Sequence, residues 1–505
     1  MFSRYRSIII LILCLLTTCT GPLPSFPTAI GPTVTPNPHA VPSATPFGPP
    51  ANTPINPATF PAVTGTTADV PISTLIPAPV PVPSLYTFNA VLNYTAHSMA
   101  VDESILYKND TAESLTELVM DVEPNLWADC FSLGRLAVNG QAASGLKLIS
   151  DRLEVPLTLA LVPGGSLNLS LHFDLRLPET DIHHIFGYNE LQTNLVDWYP
   201  FIVPYSGGWL LHPPAEVGEH LVYDTASFDV TLALADPILP VTLAASAPAE
   251  TAGGIWHYHL QNARTFVFSA SNTYQKVATI ANGVTVTGYY FVEDESQAKI
   301  VMDEVAKALI TFGSLYGAYP YPSLSIVESL FYDGMEYDGL FFLSRDYYKI
   351  YDGTVLNYMI DIAVHETAHQ WWFGSVGNDQ ALEPWLDEAL ATYSEKLFYE
   401  KNYPDVNSWW TFRVDAYTPT GWVDTDIYHA GNFRTYANAV YLRGAQFLEA
   451  LRGRMGDETF FIFLKDYAAQ MEGKRASSED FFRILRTHTN EDLSGIIAAY
   501  FQQPH

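Results

Sequence analysis

Apolar and polar residues alternate along several short segments in the first half of the chain. Residues 166–177 alternate without a break, which is the pattern of a β-strand with one buried face. The same alternation occurs in three more segments, residues 86–94, 227–234 and 265–271. Gly, Pro, Asn and Asp turns separate these segments. The pattern predicts an antiparallel β domain over residues 85–272.

The hydrophobic period lengthens after Tyr290, from the two-residue repeat of strands to the spacing of helices. Residues 296–317 have apolar positions at helical intervals. Further predicted helices follow at residues 355–373, 384–400, 436–451, 457–471 and 478–489. The chain is therefore predicted to be an α+β multidomain protein, in which a mixed α/β domain over residues 273–505 ends in helices.

The first 19 residues resemble an export signal. Arg4 and Arg6 precede an apolar core that is about half of the roughly 20 residues a membrane span requires. The segment ends in Leu-Thr-Thr-Cys at Cys19, which resembles a bacterial lipobox, where the Cys carries the lipid. Thr18 is larger than the usual residue at its position, so simple secretion and an uncleaved anchor stay open. We expect a protein that is lipid-anchored at the cell surface or secreted, with membrane contact only through this N-terminal segment.

Residues 20–84 differ sharply in composition from the rest of the chain. They contain 18 of the 35 prolines, interleaved with Thr, Ala and Val, and Asp69 is their only charged residue. Such a segment cannot bury enough apolar surface to form a core, and it favours extended polyproline-II backbone. We expect a disordered tether that holds the folded domains away from the cell surface.

The charge balance argues against one class of partner. The chain has 25 basic and 54 acidic residues, a net charge of −29, whereas nucleic-acid binding requires a basic surface. The three cysteines predict no disulfide, because Cys14 lies in the signal segment and Cys19 is the candidate lipid site. Cys130 stands in an apolar context and is predicted to be a buried small hydrophobe. The oligomeric state is not predictable from these features.

Two histidines form the first motif with chemical meaning. His365 and His369 are four residues apart in a predicted helix, so their side chains lie on one face. Two imidazoles at this spacing can bind one Zn²⁺, with Glu366 beside them toward the water that zinc activates. Glu388 follows after eighteen intervening residues and would be a third ligand. Two His and one carboxylate leave a position open, as in catalytic zinc sites, although H-E-x-x-H alone often occurs by chance.

The sequence around these residues resembles the M1 family of zinc aminopeptidases, in the gluzincin clan. The family signature is H-E-x-x-H, eighteen residues, and a Glu within a W-L-N-E-G-like segment. Here Asp387 and Ala389 replace the Asn and the Gly. The resemblance covers residues 85–505. The chain resembles a bacterial short form of the family, without the large C-terminal helical domain. It implies one zinc ion per chain with three protein ligands: His365, His369 and Glu388.

A second segment strengthens the resemblance. M1 enzymes carry G-x-M-E-N on the edge strand beside the metal, and this chain has D-G-M-E-Y at residues 333–337. The resemblance implies that Gly334 and Met335 bind substrate and that Glu336 binds its free α-ammonium group; Gly334 would let the substrate backbone approach closely. Asp333 and Tyr337 depart from the family pattern. Without the zinc motif, Glu336 would be interpreted as a solvated edge-strand residue.

Two more residues match family positions. Glu395 lies seven residues after Glu388 on the same helix face and resembles the carboxylate that orients a zinc-binding His. An exposed helical Glu is the alternative. Tyr441, in the segment Y-L-R-G, resembles the Tyr that donates a hydrogen bond to the developing oxyanion. A core Tyr is the alternative there, and Tyr436 is a weaker candidate.

The N-terminal domain offers no catalytic motif. In M1 relatives this domain is a saddle-like β structure before a thermolysin-like zinc-peptidase domain, and it contributes a Gln or Glu to the substrate's amino end. Gln192 and Glu190 do not have the family spacing from Pro200, so neither is assigned. His183 and His184 are adjacent and point in different directions, which favours structural or solvated histidines over a metal pair.

These residues and the resemblance together predict a zinc-dependent aminopeptidase that hydrolyses the first bond of peptides with a free N terminus. Glu366 would be the general base and Tyr441 would stabilise the oxyanion. Two alternatives stay open: a zinc endopeptidase or other zinc hydrolase, and a catalytically silent surface-binding protein on a peptidase scaffold. The preferred N-terminal residue and the physiological substrate are not predictable.

Overall fold

Residues 84–215, 217–236 and 240–505 are described by the structure, a computed structural model. The predicted signal segment and the predicted tether up to residue 83 lie outside the described residues. All described residues belong to one compact unit, Pro77–His505. No helix among them combines the length and apolar character needed to cross a membrane.

Sixteen strands build the N-terminal part. They are β1 (Ser84–Asn93), β2 (Ser98–Lys108), β3 (Leu115–Asp121), β4 (Phe131–Val138), β5 (Gln141–Ala142), β6 (Lys147–Ile149), β7 (Arg152–Leu161), β8 (Ser166–Arg176), β9 (Gly187–Tyr188), β10 (Thr193–Leu195), β11 (Phe201–Ile202), β12 (Ala226–Leu234), β13 (Thr242–Ala245), β14 (Ala249–Ala252), β15 (Ile255–Ala263) and β16 (Phe268–Ser271). One sheet has the order β14-β15-β12-β1-β2-β8-β4-β5, and two four-stranded sheets have the orders β13-β16-β10-β9 and β11-β3-β7-β6. A 3₁₀ helix, Glu123–Leu126, follows β3. The predicted multi-sheet β domain is therefore confirmed.

The expectation of a purely antiparallel domain was wrong at one strand pair. β1 and β12 run parallel, with Ser84 opposite Ala226 and Leu92 opposite Leu234. Both strands alternate between buried and less buried residues. Alternation reports that one face is buried and contains no information on strand direction, so the sequence pattern could not reveal this pairing.

A fourth sheet begins the C-terminal part. Its strands are β17 (Gln275–Ala281), β18 (Val284–Tyr290), β19 (Ser323–Ser329), β20 (Gly334–Tyr337) and β21 (Leu340–Ser344). The order is β17-β18-β19-β21-β20, in which β18, β19 and β21 are parallel and β20 is an antiparallel edge strand. Two short strands, β22 (Val376–Gly377) and β23 (Lys474–Arg475), pair separately.

Helices complete the C-terminal part. They are α1 (Glu295–Leu315), α2 (Arg345–Lys349), α3 (Tyr358–Ala368), α4 (Trp385–Asn402), α5 (Trp409–Arg413), α6 (Phe433–Ala437), α7 (Arg443–Met455), α8 (Asp457–Met471), α9 (Ser478–His488) and α10 (Ser494–Tyr500). Short 3₁₀ helices span Val292–Asp294 and Asp415–Tyr417, and a π-helix, Asn438–Leu442, joins α6 to α7. The mixed α/β architecture with terminal helices is confirmed.

The C-terminal sheet lies between two cores. Along β21, Leu340 and Phe342 pack into the core of the β domain, whereas Phe341 and Leu343 pack into the core formed with the helices. A strand that is covered on both faces loses the polar alternation, which explains its continuous apolar sequence. The sheet therefore connects the two parts, and its edge strand β20 borders the cleft between them.

Candidate active site

Helix α3 carries the two histidines of the zinc motif. Asn357 caps its start, because the side-chain oxygen accepts the Ile360 amide at 3.2 Å. The helix is shorter than the predicted 355–373 segment: it ends at Ala368, and His369 is its C-cap, whose amide donates to the His365 carbonyl. Both imidazoles are buried, 4% and 1% exposed. The shorter helix still places them one turn apart.

The structure brings the three predicted ligands together. Glu388 lies in the first turn of α4, and its Oε2 is 3.1 Å from Nε2 of His365 and 3.4 Å from Nε2 of His369. The two Nε2 atoms are 3.0 Å apart. Burial opposes the ionisation of Glu388, but the two histidines hold its pKa below the ordinary range. Three buried donor atoms thus surround one point.

Each imidazole is oriented through its other nitrogen. Nδ1 of His369 lies 2.8 Å from the Trp372 carbonyl, and a carbonyl can only accept, so Nδ1 carries the proton. Nδ1 of His365 lies 2.8 Å from Oε1 of Glu395. In the neutral form of each imidazole, this leaves the Nε2 lone pair facing Glu388, which is the arrangement that a metal ion requires.

Glu395 itself is held by a cation that sequence reasoning missed. Arg413 donates to both oxygens of Glu395, at 2.8 and 3.0 Å, and its Nε is 3.0 Å from Asp361. The indole of Trp409 donates to the same Asp361 at 2.9 Å. Burial disfavours the charge of Glu395, yet Arg413 and His365 lower its pKa. Asp361 precedes His365 by one helical turn, which is the only sequence signal for this network.

Glu366 lies against the edge strand β20. A Cβ added at Gly334 would stand 2.1 Å from Oε1 of Glu366, so only glycine leaves room for this carboxylate. This gives the glycine a structural reason beside the expected one, and the close approach of a substrate backbone stays a prediction. Oε2 of Glu366 is buried and has no hydrogen-bond partner within the described ranges. Burial raises the pKa of Glu366, and His365 and His369 oppose the rise.

Glu336 points into the same cleft from β20. One donor atom from each of Glu336, Glu366 and His369 lies within 4.8 Å of the others. Nε2 of Gln380 donates to Glu336 at 3.2 Å and to Asp387 at 3.0 Å, bridging two buried carboxylates. Burial raises the pKa of Glu336. Met335, beside it, lines the cleft and packs on the β-domain core.

Tyr441 reaches the site from the π-helix. Its hydroxyl donates to Oε1 of Glu388 at 2.6 Å, and its ring stacks on His365 with centroids 5.8 Å apart. Single π-turns inside helices occur frequently at functional sites. Gly444, one turn later, permits close contact with α4, because a Cβ there would be 2.3 Å from the Cβ of Ala389. Tyr436 is fully buried, and its hydroxyl has no partner among the described residues.

The β domain contributes a carboxylate that the sequence did not reveal. Glu219, on the loop before β12, lines the cleft. Burial raises its pKa, and the negative charges of Glu336, Glu388 and Asp387 raise it further. The two residues that were left unassigned do not reach the cleft: Gln192 hydrogen-bonds Asn194 and Tyr274, and Glu190 is exposed.

The adjacent histidines His183 and His184 are exposed on the cleft rim and belong to no group of potential metal ligands in the described residues. Nδ1 of His184 pairs with Asp181 at 3.1 Å.

Cys130, expected to be buried, is 2% exposed.

The cleft between the two parts has a volume of about 620 Å³ and a strongly acidic wall. Four carboxylates line it near the histidines: Glu219, Glu336, Glu366 and Glu388. Its buried arginine, Arg413, is already paired with Glu395 and Asp361. Buried charges of one sign need a partner, so the cleft is suited to cationic ligands such as a divalent metal and an ammonium group.

Comparison with known proteins identifies part of the chain. Residues 300–500 match the Peptidase family M1 domain. The chain is 26% identical over 238 residues to Aminopeptidase M1-B of Oryza sativa subsp. japonica, covering 44% of this chain and 27% of that protein. It is 22% identical over 416 residues to Aminopeptidase N of Lactococcus lactis subsp. lactis, covering 74% and 49%. The chain thus spans about a quarter to a half of the length of these curated relatives.

Solved structures share the whole architecture. The M1 zinc metallopeptidase from Deinococcus radiodurans superimposes with a TM-score of 0.62 at 17% identity, over 84% of this chain and 94% of that chain. A variant of that enzyme bound to a Tyr-Ser-Ala substrate gives a TM-score of 0.60 at 16% identity, over 84% and 95%. These matches confirm the predicted fold, a β domain followed by a mixed α/β domain that ends in helices. In sequence, residues 300–500 of this chain therefore resemble the domain of peptidase family M1.

Proposed function

We propose that this chain is a zinc-dependent aminopeptidase, which hydrolyses the first peptide bond of peptides with a free N terminus. One observation carries the proposal: donor atoms of His365, His369 and Glu388 lie within 4.8 Å of one another in a cleft that also contains Glu366 and Glu336. The related aminopeptidases and zinc metallopeptidases support it.

The three donor atoms fit a zinc ion. Ligands that lie about 2.0–2.1 Å from a tetrahedral ion are about 3.3 Å apart. The separations here are 3.0, 3.1 and 3.4 Å, and each donor is oriented toward the common centre. Zinc held by these residues would lower the pKa of a water molecule and polarise the scissile carbonyl.

Glu366 is positioned to move the proton. Its Oε2 lies in the cleft without a hydrogen-bond partner among the described residues, so it is free to accept a proton from the nucleophilic water and to pass it to the leaving amine. Burial raises the pKa of Glu366 above its ordinary value, which makes the carboxylate a stronger proton acceptor.

Glu336 and Glu219 give the cleft its specificity for a free amine. Glu336 is buried and Glu219 is partly buried; desolvation raises both pKa values, and the charge of Glu336 raises that of Glu219 further. An α-ammonium group between them would relieve this unfavourable concentration of negative charge. An acylated N terminus cannot relieve it, because it carries no positive charge.

Tyr441 is proposed to stabilise the oxyanion. Its hydroxyl donates to Glu388 at 2.6 Å, which keeps the donor at the edge of the proposed metal centre. Burial raises the pKa of Tyr441, so the hydroxyl keeps its proton and stays a donor.

The proposal is tested by comparing aminoacyl anilides with their N-acetylated forms. We expect acetylation to lower kcat/KM by about 10²-fold, which is within the range for loss of one buried charge pair. Glu336→Gln should lower kcat/KM for the free amine and leave the acetylated substrate unaffected. Glu250→Gln, on an exposed strand of the β domain, is the matched control.

The alternatives give different results in the same assay. Equal hydrolysis of both substrate forms would indicate an endopeptidase or another zinc hydrolase. Zinc binding without hydrolysis of either form would indicate a silent surface-binding protein.

We also propose that the chain is exported and lipid-anchored through Cys19. The apolar N-terminal segment and the Cys that ends it support this. Labelling with a fatty acid should be lost in Cys19→Ser, and labelling that persists in this variant would contradict lipidation at Cys19.

A further inference from the structure

A second group of potential ligands lies in the β domain and shares no residue with the histidine pair. Glu123 follows β3, Asp151 precedes β7, and His220 lies on the loop before β12. One donor atom of each lies within 4.8 Å of the others. Oε2 of Glu123 and Nε2 of His220 are 3.4 Å apart. Asp121, at the end of β3, lies close enough to Glu123 and Asp151 for their charges to raise its pKa.

The donor atoms of this group are buried, and none of them makes a hydrogen bond with the residues that the structure describes. Asp151 is 7% exposed, and its Oδ2 makes no hydrogen bond. Oε2 of Glu123 and Nε2 of His220 also make none, although each atom is buried. Asp121 is 0% exposed and accepts no side-chain hydrogen bond. Buried polar atoms are nearly always satisfied, so four unsatisfied side chains in one place indicate a missing ligand.

No basic side chain in the described part of the chain neutralises these carboxylates. The ion pair that involves the group is the one between Glu123 and His220. Arg152, next to Asp151, pairs with Glu154 instead. A group of buried carboxylates without a cation is strongly unfavourable, and a bound metal ion would remove that cost.

We propose that Glu123, Asp151 and His220 bind a second divalent cation, of the Zn²⁺ or Mn²⁺ type, with Asp121 beside it. The choice of ion follows from the donor atoms, which combine one imidazole with carboxylates. Imidazole suits zinc and carboxylates suit manganese, whereas Ca²⁺ binds oxygen ligands. Whether the site exists does not depend on the proposed peptidase activity, because it shares no residue with the proposed zinc centre.

The cation would fix the loop that borders the cleft. His220 directly follows Glu219, the carboxylate near Glu336. A metal ion would tie His220 to Glu123 and Asp151 in the β domain and so hold Glu219 in place. This consequence rests on the proposed function: loss of the ion should raise KM for free-amine substrates more than it lowers kcat.

Metal analysis of the purified full chain tests the site. After dialysis against Zn²⁺ or Mn²⁺, we expect two equivalents of metal in the wild type and one in Asp151→Asn. Asp174→Asn, an exposed Asp on β8, is the matched control and should keep two. His220→Gln provides a second variant at a less buried position, in case Asp151→Asn does not fold.

A variant without the histidine pair separates this site from the catalytic one. His365→Ala/His369→Ala should retain the equivalent that Asp151→Asn loses, and Zn²⁺ should raise its Tm. If that double variant binds no Zn²⁺ and no Mn²⁺, or if Asp151→Asn and His220→Gln both keep every equivalent of the wild type, the second site does not exist. A failure of the aminopeptidase assay would leave the metal count unaffected.

Discussion

Strand β8 and helix α3 bury their side chains in different ways. In β8, buried residues alternate with exposed or partly exposed ones along the whole strand. In α3, residues 359–368 are all buried, so every face of the helix is covered. The buried residues of β8 are apolar, whereas those of α3 include Asp361, His365 and Glu366. The strand therefore contributes packing, and the helix contributes chemistry that depends on partners for its buried charges.

The partners of α3 show how those charges are accommodated. Arg413 neutralises Asp361 and Glu395, and Glu395 in turn orients His365. Among the described residues, Oε2 of Glu366 is buried with neither a hydrogen bond nor an ion pair, whereas Oδ2 of Asp361 lies 3.0 Å from Arg413. In a region where nearly every polar atom is paired, an unpaired carboxylate oxygen facing the cleft is available for catalysis.

The largest expected effect is the loss of turnover in Glu366→Gln. The amide keeps the shape of the side chain but cannot accept the proton, so kcat should fall by about 10²–10⁴-fold. Zinc content should stay unchanged, and Tm should not fall, because the variant removes a buried carboxylate. Kinetics on an aminoacyl anilide, metal analysis and thermal unfolding measure the three quantities.

Glu250→Gln controls for the substitution itself, because Glu250 is exposed on β14. A Glu366→Gln variant with wild-type kcat would remove Glu366 from the role of general base. If Glu366→Gln lost stability together with activity, Glu366 would be contributing to packing, as the buried residues of β8 do.

The reverse behaviour is expected of Phe173→Ala in β8. Phe173 is 0% exposed, and its truncation should lower the free energy of unfolding by about 3–5 kcal/mol. The kcat of the protein that remains folded should be unchanged, because the described lining of the cleft contains no residue of β8. Denaturant unfolding and active-site titration separate the two quantities.

Asp174→Ala, the exposed neighbour, should change the free energy of unfolding by less than about 0.5 kcal/mol. A fall in the kcat of folded Phe173→Ala would show that the β domain transmits strain into the site. That result would contradict the conclusion that β8 contributes packing and α3 contributes the chemistry.

Tyr441→Phe should lower kcat by about 10²–10³-fold, the usual cost of losing one oxyanion donor, with a smaller change in KM. Tyr428→Phe is the matched control, because its hydroxyl is exposed and donates to the Pro213 carbonyl. An unchanged kcat in Tyr441→Phe would restrict the hydroxyl to holding Glu388.

Local sequence patterns predicted the architecture well. The unbroken alternation of residues 166–177 corresponds to β8, Ser166–Arg176, and the helical spacing after Tyr290 corresponds to α1. Such patterns succeed because each residue's burial depends on its own element. They failed for α3, whose ends differ from the predicted 355–373 segment, because a helix covered on every face has no apolar stripe to define its limits.

The proposed ligands His365, His369 and Glu388 could be recognised from the sequence, because they lie on two successive helices at a fixed spacing along the chain. Arg413 and Glu219 could not be recognised in this way. Arg413 contacts Glu395 across 18 positions and comes from a separate short helix, α5. Glu219 enters the cleft from a loop of the other domain. Such contacts depend on how the elements pack, and no local pattern encodes them.

The smallest expected effect concerns a buried carboxyl that has no proposed catalytic role. Glu103 on β2 is 2% exposed, neither oxygen has a hydrogen-bond partner, and burial raises its pKa well above the ordinary 4.5. The folded state therefore retains a proton that the unfolded chain loses, so stability falls as pH rises above the ordinary value. Glu103→Gln removes this penalty and should raise Tm at pH 7 but not near pH 4, whereas Glu250→Gln should change neither. Because Glu366 shares the raised pKa but lies in the cleft, a gain in Tm with unchanged kcat in Glu103→Gln would show that location, and not burial alone, makes a carboxylate a base.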